Sequence, residues 1–304
     1  MRLTIRSGGV RGPLDQKQID ARIATAPCLP SLGSIEMALK ELLTADQRYT
    51  SQIAEIIRRD PSLTARILHL VNSVYYGLSS PMRTIEEAVF FLGVRQVRQL
   101  AMMTPVVEDL SKMTTNRRLQ WKQFWRHCIA TAMMTYEIID QVQPSEGETA
   151  YLAGLLHDVG KIVMASAFPE YFDEVYDRQQ EQRRELTLVE REVLGVDHCE
   201  LGARYLGRQR VPELFVEVAR YHHCPNLAST NASTAAAVQV ADMLVRYTTI
   251  GYSGNPMPVE DDSWLETPGW NMLFARQTDG EKELTRASLK RSLERVPAVL
   301  ECLV

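Results

Sequence analysis

Leu152-Ala153-Gly154-Leu155-Leu156-His157-Asp158-Val159-Gly160-Lys161-Ile162-Val163 sets an adjacent histidine and aspartate inside an otherwise apolar run. Leu152, Leu155, Leu156, Val159, Ile162 and Val163 recur at helical spacing, which puts the pair on or beside a buried helix face. A carboxylate taken out of water costs several kcal/mol, roughly, unless a cation or strong donors meet it. Backbone groups and neighbours can satisfy such a pair, and for a lone dipeptide that is the simpler explanation. Imidazole and carboxylate together are also the usual ligands of a catalytic divalent metal, and Lys161, one turn on from His157, can reach a bound phosphate.

Outward from this stretch the pattern stays helical. Towards the N-terminus, a helix from about Trp121 to Ile139 carries Phe124, His127, Thr131 and Met134 on one face, and Pro144 to Gly147 form a loop. Before a polar break at Ser111 to Arg118, Thr84 and Glu87 fit a capping box for a helix through Val89 and Leu92 that stops at Gly93, and another follows through Val97, Leu100 and Met103. Asp60-Pro61 opens the helix carrying Leu63, Ile67, Leu70 and Val71, which ends near Tyr76-Gly77. Earlier still, Ser34 caps a helix with Ile35, Ala38, Leu39, Leu42 and Leu43, and Thr50-Ser51 precede one with Ile53, Ile56 and Ile57. Residues 1–28 are polar and glycine-bearing, a loose lead-in.

Towards the C-terminus, Asp197 and Glu200 form a capping-box pattern with His198 in the first turn, and Pro212 starts a helix leading to Tyr221-His222-His223 before Cys224-Pro225. Ser233 or Thr234 caps a helix whose apolar face, Val238, Ala241, Leu244 and Val245, has Asp242 embedded in it. Residues 251–280 are expected to be a long loop, and a final helix runs from about Glu283 to Leu300, disturbed at Pro297. With no clear strand alternation anywhere, the expected class is all-α.

The composition narrows the function. A chain of 304 residues, 45% hydrophobic, can bury one large core or two smaller ones. With 34 Lys and Arg against 38 Asp and Glu, the net charge of -4 argues against an electrostatic nucleic-acid binder, so Arg95, Arg98 and the Arg204, Arg208, Arg210 group are solvated helix faces. Five cysteines without a Cys-x-x-Cys pair suit neither a disulfide framework nor a zinc ribbon, and fit a reducing cytosol. The first residues lack the apolar region of a signal peptide and no run has the length of a membrane span, so a cytoplasmic protein without membrane partners is expected.

Five of the six histidines, His127, His157, His198, His222 and His223, lie in the second half, each near a helix end or within an apolar helix. Asp158 and Asp242 join them. Singly, each is more simply a satisfied core or surface residue; spread over five helices, they can converge only in a helical bundle, whose facing side chains build metal sites.

The order His127, His157-Asp158, Asp242, with Gly160-Lys161, resembles the ligand signature of the HD superfamily of metal-dependent phosphohydrolases. His198, His222 and His223 resemble the additional ligands that give its HD-GYP branch a second metal. Asp60-Pro61-Ser62-Leu63-Thr64-Ala65-Arg66-Ile67-Leu68, Val71-Asn72-Ser73, Thr84-Ile85-Glu86-Glu87-Ala88 and Leu92-Gly93 resemble the HDOD domain, a bacterial signal-output module, and this likeness covers about Leu29 to Pro225. It implies an HD-type metal-binding helical bundle over 116–250, preceded by an N-terminal helical subdomain over 29–115 and followed by a loop and C-terminal helix over 251–304.

HDOD domains commonly lack part of the HD ligand set and are regarded as non-enzymatic regulatory modules; this chain keeps the set. Cys224-Pro225-Asn226 follows the paired histidines where the cyclic-dinucleotide phosphodiesterases carry a Gly-Tyr-Pro loop, and Gln123 stands where their three-metal version has a glutamate. The resemblance therefore implies one or two divalent ions, iron, manganese, nickel or zinc, and little or no cyclic-dinucleotide hydrolysis. His127, His157 and Asp242 would hold one ion, His198, His222 and His223 would hold or surround the second, and Asp158 would bridge them. In an active site, a metal-bound water would be the nucleophile and Lys161 would offset phosphoryl charge. Cys128, Cys199 and Cys224 each directly follow one of these residues. Adjacent helix positions point about 100° apart, so the cysteines are expected as small buried hydrophobes beside the site rather than as thiolate ligands. Two functions stay open: a regulatory module whose output is contact with a protein partner, and a phosphohydrolase acting on a small phosphoester or nucleotide.

Overall fold

Helices begin and end where something can take up their free backbone groups, and the caps in this chain organise its first half. The computed structural model describes residues 12–27, 54, 57–58, 61–72, 78–113 and 116–301. Helix α1 (Gln16–Thr25) opens on a reciprocal cap between Asp15 and Gln18 and buries Ile19 and Ile23. It lies within the stretch expected to be a loose lead-in, and its Asp-x-x-Gln signature precedes an apolar pair at helical spacing. After α2 (Pro61–Val71), the Thr84 and Glu87 capping box is formed and opens α3 (Ile85–Ser111). Gly93 interrupts α3 with φ 81° and ψ 156°, a conformation that glycine alone adopts cheaply, so the two expected helices meet there at a kink. Asn72 donates to the carbonyls of Leu68 and Met82 and accepts from Met82 N at 2.7 Å, clamping the return from α2 to α3. The expected helix from Ile35 to Leu43, the start of the next at Thr50-Ser51-Ile53, the Asp60 cap and the segment Ser73 to Gly77 lie outside the described residues.

The second half continues with α4 (Trp121–Val142), α5 (Gly147–Leu156), α6 (Val159–Ala167), α7 (Pro169–Gln182), α8 (Leu186–Leu194), α9 (His198–Arg208) and α10 (Glu213–Tyr221). They are followed by α11 (Ala232–Tyr247), α12 (Pro268–Phe274) and α13 (Asp279–Glu301). Among the described residues there are no strands, and no helix is long and apolar enough to cross a membrane. Four boundaries differ from expectation, the first at the expected loop Pro144 to Gly147, where Pro144–Glu146 form a short 3-10 turn and Gly147 already begins α5. Helix α11 starts at Ala232, ahead of Ser233 and Thr234, because Asn231 is anchored by Glu217. The expected loop 251–280 contains α12, opened by Thr267 accepting from Trp270 N at 3.2 Å, with Trp264, Trp270 and Phe274 buried. Helix α13 starts at Asp279 because Thr278 and Glu281 cap each other, and it continues through Pro297.

One apolar core runs from Ile19 to Leu300. At its centre α4 packs on α5 and α11, with α13 on the outside of α4; α6 lies on α9, and α1 covers both. Two crossings depend on glycine. A Cβ at Gly154 would sit 2.9 Å from Ala132 Cα, and one at Gly160 would sit 1.8 Å from the His198 carbonyl oxygen. The second brings the turn between α5 and α6, which carries His157 and Asp158, against the start of α9.

Candidate metal centre

His157 and Asp158 occupy the turn where α5 ends and α6 begins, both almost fully buried. His127 comes from the middle of α4, His198 from the first turn of α9, His222 and His223 from the end of α10, and Asp242 from α11. The two oxygens of Asp158 face different groups. Oδ2 lies 3.3 Å from His157 Nε2 and 3.9 Å from His127 Nε2; Oδ1 lies 3.4 Å from His198 Nε2 and 3.8 Å from His222 Nε2. Asp242 Oδ1 is 3.1 Å from His127 Nε2. His223 lies beside His222, ring centroids 4.1 Å apart and the planes tilted by 51°. All seven expected ligands are thus within one cluster, and Lys161 is with them, its Nζ 2.6 Å from Asp158 Oδ2.

Three of the imidazoles are held from behind. His157 Nδ1 donates to the Gly154 carbonyl at 2.7 Å, His222 Nδ1 to the Ala219 carbonyl at 2.9 Å, and His198 Nδ1 to Glu190 Oε2 at 2.6 Å. A carbonyl can only accept, so Nδ1 of His157 and of His222 carries the proton and their Nε2 atoms face inward, the arrangement that orients histidines towards a metal. His127 Nε2, His157 Nε2, His198 Nε2 and Asp158 Oδ1 are buried without a hydrogen-bond partner of proper geometry in the protein. Buried polar atoms are rarely left so, and four of them aimed at one another fit a divalent ion or two.

The charges agree. Burial alone would raise the Asp158 carboxyl, but His157 and Lys161 hold it well below the usual carboxylate range. Burial lowers Lys161 and its pairing with Asp158 outweighs that, so its ammonium is retained. Burial, with His157 beside it, pushes His222 down to about 3, leaving it neutral and able to donate its lone pair.

Glu190 is the residue that the sequence reading lacked. It is buried on α8 and holds both the backbone N–H and the ring of His198. Its signal was present: Leu186, Val189, Val193 and Leu194 leave Glu190 on their own apolar stripe. Gln239 was missed as well; it donates to the His223 carbonyl at 2.7 Å and accepts from Gly269 N at 2.8 Å, tying the α12 segment to the site. Gly251, with φ 71°, brings its own segment against α4, where a Cβ would lie 2.3 Å from His127 N. A cavity of about 410 Å³ opens over the cluster, lined by Lys161, His198, His223, Asp242, Arg246 and Asn255 among others.

Residues 29–225 match the family model of the HDOD domain. An uncharacterized protein of Treponema pallidum (strain Nichols) is 26% identical over 220 residues, which is 72% of this chain; the chain spans about two fifths of that relative's length, 42%. The fold is similar to the crystal structure of an HDOD domain protein with unknown function from Geobacter sulfurreducens. The two share 25% identity with a TM-score of 0.77, over 95% of this chain and 98% of that one. It is similar also to a putative signal transduction protein from Marinobacter aquaeolei VT8, at 18% identity and a TM-score of 0.67, over 98% of this chain and 68% of that one.

Proposed function

The chain belongs to the HDOD domain family, and we propose that it is a regulatory module of signal transduction that has kept a centre for one or two divalent transition-metal ions. The observation that carries the reading is the set of inward-facing Nε2 atoms around Asp158, on rings held from behind by Gly154, Ala219 and Glu190. His127, His157, Asp158 and Asp242 would hold one ion, and His198, His222 and His223 would lie around the other, with Asp158 between them. Such a centre stiffens the junction of α5, α6, α9 and α10, because an ion that binds only the folded arrangement stabilises it. The output is contact with a protein partner, as the family resemblance implies; fold alone assigns no activity.

One observation favours a second reading. Lys161 lines the cavity above the cluster while keeping its charge beside Asp158. An ion there would supply Lewis acidity towards a phosphoryl oxygen. The ammonium of Lys161 would offset charge on another oxygen, and the cavity would admit a small phosphoester or nucleotide. Elemental analysis of the purified protein, followed by phosphatase and phosphodiesterase assays with added divalent ions, tests both readings. Bound transition metal without turnover is the expected result. Protein that takes up no metal would remove the centre, and metal-dependent turnover lost in His157→Ala would make the chain a hydrolase.

A further inference from the structure

The donors around the second ion position include a thiol. Cys199 follows His198 in the first turn of α9 and is buried, with 6% of its surface exposed. His198, Cys199, His222 and His223 each offer one donor atom, all within 4.8 Å of one another. Cys199 Sγ lies 3.9 Å from His222 Nε2. With a metal–sulfur bond of about 2.3 Å, a metal–nitrogen bond of about 2.0 Å and a near-tetrahedral angle, such a pair is separated by roughly 3.5 Å, so the observed spacing needs only a small closure. Asp158 Oδ1, buried and without a hydrogen-bond partner, lies 3.4 Å from His198 Nε2.

We propose that Cys199 is a thiolate ligand of the second ion, which makes the His198, Cys199, His222 and His223 position selective for zinc or a zinc-like ion. The inference rests on the metal-centre reading above. As the sulfur–metal bond forms, the thiol proton passes to solvent. With Asp158 shared between the two ions, three imidazoles and a thiolate form a softer set than His127, His157 and Asp242, whose side of the centre suits iron or manganese. The centre is then built for two different ions. Cys199 and His223 also line a cavity of about 530 Å³ that shares Glu185, Thr187 and His223 with the one over the cluster, and the exposed Cys224, expected to be buried, borders it.

Cobalt(II) titrated into the full chain after chelator treatment tests this without reference to activity. A near-ultraviolet thiolate-to-cobalt charge-transfer band is expected. It should be kept in Cys128→Ala and Cys224→Ala and lost in Cys199→Ser. Cobalt bound without the band, or a band that survives in Cys199→Ser, would overturn the proposal. Should Cys199→Ser fail to fold by circular dichroism, X-ray absorption of the zinc-loaded Cys128→Ala/Cys224→Ala protein decides. A sulfur scatterer at about 2.3 Å is expected, and nitrogen and oxygen alone would refute the ligand. Binding without sulfur leaves the metal centre standing, whereas no binding of any ion removes both.

Discussion

Asp158 turns one oxygen to His127 and His157 and the other to His198 and His222, and Lys161 depends on it for charge balance at a buried position. Replacing it by Ala should abolish most metal binding and lower the melting temperature, because the folded state loses the ion and is left with an unpaired buried ammonium. Elemental analysis and calorimetry of Asp158→Ala beside chelated wild type check this; a variant that kept its metal would show that the carboxylate is not the bridge. Gly160 acts through space alone. A methyl group there would meet the His198 carbonyl at 1.8 Å and Gly202 N at 2.7 Å, both of them backbone atoms with little freedom to move. Gly160→Ala should cost about 1–3 kcal/mol in denaturant unfolding, and should weaken metal retention as α9 is pushed off α6. Unchanged stability would contradict the close crossing.

At the scale of elements, the link from α10 to α11 is held by one carboxylate. Glu217 accepts from the backbone N–H groups of Ser229, Thr230 and Asn231 and from the Ser229 hydroxyl and the Asn231 amide. Burial alone would raise its pKa, yet these donors bring it from about 4.5 down to about 2. A folded-state value below the unfolded one adds stability that is complete above the unfolded pKa and lost as pH falls through the folded one. Wild type should therefore lose stability between about pH 4.5 and 2, and Glu217→Gln should lose less over that interval. Parallel melting curves of the two proteins at pH 5 and pH 2.5 measure the difference; equal losses would mean that Glu217 is not the titrating group. The same junction sets His222 and His223 at the end of α10, so its stiffness bears on the site.

For the whole molecule the substrate question turns on shape around the paired histidines. Pro225–Leu227 form a short 3-10 turn after Cys224, where the cyclic-dinucleotide phosphodiesterases place their Gly-Tyr-Pro loop. A ligand with two phosphates and two bases lacks that wall here. Metal-loaded protein should hydrolyse cyclic dinucleotides little or not at all; turnover of order 1 per second or faster, lost in His157→Ala, would reverse this. The helical class, the Thr84 cap and the break at Gly93 were legible in the chain, since caps and apolar periods are local signals, whereas the seven candidate ligands, each ordinary by itself, came as a set from the family resemblance. The capping signatures of α1, α12 and α13 were equally local, at Asp15, Thr267 and Thr278, but lay in stretches rich in glycine, proline and charge, where composition suggested loop. What tertiary structure alone decided is which atoms meet. The pattern could show Glu190 on an apolar stripe but not that it holds His198, nor that a Gly160 without Cβ lets α6 touch α9. The ~100° step between neighbouring helical positions turned Cys199 away from His198 on paper. The ends of α9 and α10 bring its sulfur back, because the direction of a side chain is local while the point where directions converge depends on how helices cross.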